Sequence, residues 1–320
     1  TENYTMEKTI DVIIPTYHPG NEFSKLIDRL MKQTCPIHQI IIMNTEEAFW
    51  DPKWNEDYPF LEVHHIQKSE FDHGGTRKKA AEISEADIMI FMTQDALPAD
   101  RNLVQNLTDA LLADEQIGAA YARQLPNSEC SFVERYTRSF NYPETSCVKT
   151  KADLPKYGVK TYFCSNVCAA YKKEIFEKLG GFVERTIFNE DMIYAGNLIQ
   201  AGYGIAYAAE AKVIHSHNYS CMQQFHRNFD LGVSQAEHPE IFASVKSEGE
   251  GIRLVKQTFR YLISRGKILR YLQNDPLQKR DRHNRKLRQN KLPQTGKQYH
   301  SLGTGLSIHR CFRPEGHNRK

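Results

Sequence analysis

Ala86-Asp87-Ile88-Met89-Ile90-Phe91-Met92-Thr93-Gln94-Asp95-Ala96-Leu97-Pro98 is the stretch on which the fold turns. Ile88 to Met92 is an apolar run of strand length with no polar position on either face, the pattern of a strand covered on both sides. It stops at a carboxylate followed by Ala-Leu-Pro. In open α/β sheets ligands gather beyond the carboxyl ends of the strands. Asp95 is therefore placed to hold a divalent cation or a ligand hydroxyl. An Asp here also suits the start of a turn or a helix cap, and this segment alone leaves both readings open.

Working outward, Asp11 to Pro15, Gln39 to Met43, Leu61 to Ile66 and Ile117 to Ala122 read as further strands. Between them Glu22 to Gln33 carries apolar residues at 23, 26, 27, 30 and 31, a helical stripe. Helices are also expected from Gly75 to Ser84 and from Asn102 to Ala113. This alternation over about the first 125 residues predicts a Rossmann-like α/β fold, with a mostly parallel sheet flanked by helices. No GxGxxG follows the first strand and no GxxxxGK[ST] occurs, so neither a dinucleotide fingerprint nor a P-loop supports the fold.

Residues 126–160 are polar, aromatic and rich in turn formers, and read as a long loop. Beyond it come Tyr162 to Asn166, a helix from Lys172 to Leu179, Gly180-Gly181-Phe182, and the acidic Phe188-Asn189-Glu190-Asp191. A helix from Met192 to Ala201 and strands from Gly204 to Ala208 and Ala211 to His215 follow. Residues 252–273 form an amphipathic basic helix. After Asp275 the periodicity fades and the segment reads as a disordered tail.

The 320 residues include 40% hydrophobic residues, enough for a full core, and a net charge of +3. That charge is uneven: residues 275–320 hold twelve basic and three acidic side chains, so the remaining body is mildly acidic. Seven scattered cysteines without a CxxC pair imply reduced thiols and a cytoplasmic protein. The polar N-terminus carries no secretory leader pattern, and no run of 18 apolar residues is available to cross a membrane.

Four further clusters could carry chemistry. Phe71-Asp72-His73-Gly74-Gly75-Thr76-Arg77 places two glycines and a guanidinium at a helix start, a pattern for an anion or for a plain capped turn. Asn189-Glu190-Asp191 either flatters a helix dipole or supplies a general base. His215-Ser216-His217 puts two imidazoles on one face if the strand continues. Arg123-Gln124 and Ser165-Asn166 are loop-end polar residues that equally suit local backbone bonding.

Taken in order, Val12 to Tyr17, Phe71 to Arg77, Met92 to Pro98, Phe163 to Asn166, Asn189 to Asp191 and Val213 to His217 resemble the family 2 nucleotide-sugar glycosyltransferases of GT-A fold. The pairing of Asp-His-Gly-Gly-Thr-Arg with Thr-Gln-Asp-Ala resembles the bacterial rhamnosyltransferase group within them. The resemblance spans about residues 9–235. It implies a catalytic domain over 1–250, with a nucleotide-sugar half near 9–125 and an acceptor half near 126–250. The amphipathic helical extension, 251–274, and the basic tail, 275–320, then follow.

The same resemblance implies roles. Thr16, Tyr17 and Asn44 line the base and ribose, with Asp72, His73, Gly75, Arg77 and Gln94 also on the donor side. Asp95 binds Mg²⁺ or Mn²⁺ at the diphosphate, with His215 or His217 as the late histidine ligand. Asp191 is the general base beside Glu190, while Arg123, Ser165 and Asn166 meet the acceptor. The family's Asp-x-Asp is Thr93-Gln94-Asp95 here, and Lys78 stands where Asn is frequent. One base and one displacement give inversion. The implied reaction moves L-rhamnose from dTDP-β-L-rhamnose to a glycan or lipid-linked glycan of a cell-surface polysaccharide. The basic helix and tail suit peripheral contact with an anionic membrane at the inner face of the plasma membrane, and no nucleic-acid motif appears. UDP-galactose or UDP-glucose as donor, and a non-catalytic glycan-binding homologue, are the competing readings.

Overall fold

The computed structural model describes residues 8–245 and 248–264. Its strands are β1 (Ile10–Tyr17), β2 (Gln39–Thr45), β3 (Leu61–Ile66), β4 (Ile88–Met92), β5 (Leu97–Pro98), β6 (Ile117–Leu125), β7 (Cys147–Lys149), β8 (Cys168–Lys172) and β9 (Gly204–Ile214). The helices are α1 (Asn21–Leu30), α2 (Lys53–Asp57), α3 (His73–Ile83), α4 (Leu103–Leu112), α5 (Phe132–Asn141), α6 (Leu154–Tyr157), α7 (Lys173–Lys178), α8 (Glu190–Gln200), α9 (Cys221–Glu237), α10 (Pro239–Phe242) and α11 (Glu248–Ser264). The tail from 275 to 320 and the end of the basic helix beyond 264 lie outside the described residues.

All nine strands join one sheet in the order β3-β2-β1-β4-β8-β6-β9-β5, with β7 also on β9. β3, β2, β1 and β4 run parallel, as the strand–helix alternation predicts. The second half is mixed: β8 is antiparallel to both β4 and β6, while β6 and β9 are parallel. β8 was not foreseen because Cys-Ala-Ala-Tyr-Lys has neither alternation nor branched residues, and Ala favours helix. Buried between two neighbours, it sends Cys168 and Ala170 into one core and Ala169 and Tyr171 into the other.

The pleat sends alternate residues to two cores. Val12, Ile14, Ile40, Ile42, Ile90 and Met92 pack with Leu26 of α1 and Leu107 of α4. Ile13, Ile41, Met89 and Phe91 pack with Ala80 of α3 and Tyr194 of α8. Every residue of β4 is buried, as a strand covered on both faces requires.

Two expectations are corrected here. The 126–160 loop contains α5 and β7; α5 is started by Ser131, whose hydroxyl accepts the Glu134 N–H at 3.2 Å. The two short strands around 204–215 are one strand, β9, with an irregularity: Ala122 faces Ala208 but Arg123 faces Lys212. Of the residues skipped there, Ala209 and Ala211 stay buried while Glu210 is exposed, and its carbonyl accepts the Asn106 amide.

Candidate active site

The carboxyl end of β4 meets the end of β9 through a two-residue ladder. Leu97 pairs with Ile214 and Pro98 with Val213, antiparallel. This brings Asp95 beside residues about 120 positions later. The Asp95 Oδ2 lies 3.5 Å from His215 Nε2 and 3.3 Å from His217 Nε2. One ligand atom from each of the three residues falls within 4.8 Å of the others, a spacing that fits a divalent cation. The imidazole rings stand perpendicular, 4.6 Å apart.

The electrostatics suit this use. Burial opposes ionisation of Asp95, but the hydrogen bond and charge of His215, with His217 behind it, outweigh burial and hold the carboxyl well below the usual carboxylate range. Burial, then the neighbouring His215, lower the pKa of His217, favouring the neutral imidazole that can donate a lone pair.

Gln124, at the end of β6, fixes the tautomer of His215. Its Oε1 accepts from His215 Nδ1 at 3.0 Å and also from the Arg138 guanidinium. A carboxamide oxygen has no proton to give, so the ring nitrogen facing it is Nδ1–H, and this bond turns Nε2 toward Asp95. Arg138 is gripped in turn by Glu134 at 2.6 Å. Both sit one turn apart on α5, within the region expected to be a loop. Gln124→Leu should weaken Mn²⁺ affinity by about 10–100-fold, the usual cost of losing a histidine's outer partner. Calorimetric titration of Mn²⁺ checks this; an unchanged affinity would detach Gln124 from the site.

The Gln124 Nε2 donates to Ser165 Oγ at 3.1 Å, and so the network continues into the carboxylate pair. The Asn166 N–H donates to Asp191 Oδ2 at 3.0 Å, and its side-chain Nδ2 to Glu190 Oε1 at 3.1 Å. The Tyr171 hydroxyl anchors Asn166 by donating to its Oδ1 at 2.8 Å. Ser165 and Asn166, expected at the acceptor, therefore position the carboxylates and Gln124. Asn189, which caps α8 in the left-handed region at φ 77°, turns the chain so that Glu190 and Asp191 enter the first helical turn.

The two acids are driven apart. Glu190 lies 3.2 Å from Arg77 Nη1, and both are buried. Burial favours the neutral acid, but Arg77 and then His73 hold Glu190 ionised. Burial and the adjacent negative Glu190 push Asp191 the other way, up to about 7. A carboxylate poised near neutrality, next to one fixed in charge, is the arrangement expected of a general base.

Arg77 and its glycines take a different part from the phosphate cradle expected of them. Arg77 points inward to Glu190 and also donates to the His73 carbonyl at 2.9 Å. α3 begins at His73, so both glycines lie inside its first turn, capped by Asp72, which accepts the Gly75 N–H. A Cβ on Gly74 would stand 1.7 Å from the Val183 carbonyl oxygen and 3.4 Å from the Glu190 Cβ. Gly74 is thus what lets the 183–190 segment lie against α3, and Asp72 also accepts the Arg185 N–H at 2.9 Å. An open groove of about 800 Å³ runs over this junction, lined by Phe71, Asp72, Lys78, Glu184, Arg185 and Ile187 among others.

Thr16 and Asn44 are buried on each other, Thr16 Oγ1 donating to Asn44 Oδ1 at 3.0 Å. They clasp the ends of β1 and β2. Tyr17 and Gln94 exchange two bonds of 2.9 Å, tying the end of β1 to the Asp95 loop. Beside Tyr17, His18 stacks on Phe49 at 3.3 Å, and the Lys68 ammonium lies 5.7 Å over the Tyr17 ring. Arg123 leaves the network and pairs with exposed Glu144 at 2.9 Å. Sequence reasoning missed Gln124 as the link, Arg138, Glu134 and Tyr171. The pattern Ser131-Phe-Val-Glu134 was a readable helix start for the two α5 residues.

Glycosyl transferase family 2 matches residues 11–180. O-antigen chain rhamnosyltransferase RfbN of Salmonella typhimurium is 41% identical over 256 residues, 79% of this chain and 81% of that protein. O-antigen chain rhamnosyltransferase WbaN of Salmonella anatum is 40% identical over 79% and 80% respectively. Among solved structures, TarS 1–349 of S. aureus in complex with UDP-GlcNAc superposes with a TM-score of 0.53 at 14% identity, covering 80% of this chain and 73% of that one. The mannosyltransferase PcManGT from Pyrobaculum calidifontis, in complex with GDP-Man and Mn²⁺, gives 0.50 at 20% identity over 66% and 58%. These two likenesses concern the fold.

Proposed function

Because the chain belongs to glycosyl transferase family 2 and is thus a glycosyltransferase, we propose that it moves L-rhamnose from dTDP-β-L-rhamnose to a hydroxyl of a growing O-antigen-type polysaccharide, with inversion at the anomeric carbon. The observation that carries the mechanism is the split carboxylate pair: Asp191 near neutral pKa, Glu190 locked as an anion by Arg77. The relatives named as O-antigen chain rhamnosyltransferases supply the sugar and the acceptor class.

In this reading Asp191 takes the proton of the acceptor hydroxyl as that oxygen attacks. Asn166 holds Asp191 through its backbone N–H and Glu190 through its amide, so the base keeps its aim. Glu190 does not itself accept the proton; its charge raises the basicity of Asp191. Asp95, His215 and His217 would hold a divalent cation, Mg²⁺ or Mn²⁺, with Gln124 orienting His215. Such a cation supplies positive charge to the departing nucleoside diphosphate. Tyr17, His18 and Phe49, with Lys68 above, offer an aromatic and cationic face for the nucleoside end. Thr16, Asn44 and Gln94 hold that face in place.

The experiment is calorimetric binding of dTDP-rhamnose against UDP-glucose, UDP-galactose and GDP-mannose, each with Mn²⁺, with Mg²⁺ and with EDTA. Metal-dependent preference for dTDP-rhamnose of about tenfold or more is expected, since a site built on specific polar contacts discriminates at least that well. Preference for another nucleotide sugar would replace the donor while leaving the base in position, and no binding of any donor would overturn the catalytic reading.

A further inference from the structure

α11 is a helix with one face on the protein and the other turned outward. On the inner side, Leu262 is buried, Tyr261 stacks on Tyr136 of α5 at 4.6 Å, and the Tyr136 hydroxyl donates to Gln257 at 3.2 Å. On the outer side stand Val255, Phe259 and Ile263, which are 68%, 57% and 54% exposed. They are spaced four apart and so form one stripe along the helix. A soluble surface seldom leaves three such side chains in line without a use for them.

The residues next to the stripe indicate what covers it. Lys256 and Arg260 each follow a stripe residue and are exposed in turn, which places a cationic row alongside the apolar one. From 252 to 264 the helix has Arg253, Lys256 and Arg260 and no Asp or Glu, and the sequence continues with Arg265, Lys267 and Arg270. An apolar row flanked by cations, on a helix whose other face is docked, matches the chemistry of a bilayer surface: acyl chains receive the aromatic and aliphatic groups, and anionic headgroups meet the cations. Residues 1–274 as a whole carry more acidic than basic side chains, so this cationic row is a local departure from the body.

We propose that the outer face of α11, carried by Val255, Phe259 and Ile263 with Lys256 and Arg260, is a docking surface for an anionic lipid bilayer. The helix lies flat, its stripe among the upper acyl carbons and its cations among the headgroups. This holds whatever sugar the enzyme moves, so its failure and that of the rhamnosyl reading are separate results.

The test is co-sedimentation of the full chain with vesicles of phosphatidylethanolamine and phosphatidylglycerol, against vesicles of phosphatidylcholine alone. Binding to the anionic vesicles is expected, falling as salt is raised. Phe259→Ser with Ile263→Ser should reduce it by about tenfold or more. Lys256→Glu with Arg260→Glu should reduce it by about fivefold for each cation. None of these residues touches the Asp95 or Asp191 networks, so nucleotide-sugar binding serves as the check that each variant is folded. Equal binding to phosphatidylcholine, binding that survives both double variants, or a Phe259-dependent dimer in place of vesicle binding would each overturn the proposal.

Discussion

Asp191→Asn is expected to lower kcat by about 10²–10⁴-fold, the range that a positioned general base contributes, while leaving donor affinity nearly unchanged. Asn cannot accept the proton; it matches Asp in size, and its single amide oxygen keeps one of the two bonds that Asp191 accepts from the Asn166 and Met192 N–H groups. In the unaltered enzyme turnover should rise with pH through about 7, as the carboxyl that burial and Glu190 hold up loses its proton. That limb should vanish in the variant. The stability sign runs the opposite way. A carboxyl whose folded pKa is raised above its usual 3.8 favours the fold when protonated, and this contribution is lost as pH rises through about 7. Above that pH the wild type therefore carries an ionised, buried Asp191 that the Asn variant lacks. Relative to wild type, the variant should gain in thermal stability as pH rises toward and past about 7. A variant with near-normal turnover would remove Asp191 from the base role, and one that melts much lower would point to a structural part instead.

Asp95→Ala is expected to abolish the metal dependence of donor binding and to lower kcat/KM by about 10²–10⁴-fold, the scale of charge stabilisation that a bound cation gives a leaving diphosphate. Asp95 is the sole anion of the three-residue cluster. Two neutral imidazoles without it retain only weak affinity for Mg²⁺, a cation that prefers oxygen. Calorimetry of donor with Mn²⁺ and with EDTA reads this directly. The variant should give one affinity under both conditions, and wild type two. If wild type binds equally well in EDTA, the cation has no part in donor recognition.

The parallel half of the sheet was legible because β1, β2 and β4 hold apolar runs bounded by turn residues, and β3 places Leu61 and Val63 at alternate positions. Asp95, Asp191, His215 and His217 were legible because each follows such a strand or opens a helix, where function concentrates. What the sequence hid was partnership. Nothing in Gln124 announces that it joins a histidine 91 residues later to a serine 41 residues later. Arg77 read as a phosphate donor because an arginine at a helix start is normally outward, yet the helix turns it onto Glu190, 113 positions away. Gly74-Gly75 read as a phosphate loop because glycine also permits that. The actual demand is the Val183 carbonyl, a contact no local pattern reveals. The loop expected over 126–160 concealed α5 because its apolar face is built from Val133, Tyr136 and Phe140, mixed among charges, and finds its partner in α11.

The pairing of Leu97–Pro98 with Val213–Ile214 has a consequence for biogenesis. Asp95 and the imidazoles of His215 and His217 come together only where this short ladder closes. A nascent chain released before His217 has left the ribosome would carry the parallel half of the sheet without the imidazoles that complete the cluster. The three-residue cluster is therefore assembled only late in synthesis, once the chain has been translated past β9 and that strand has docked on β5.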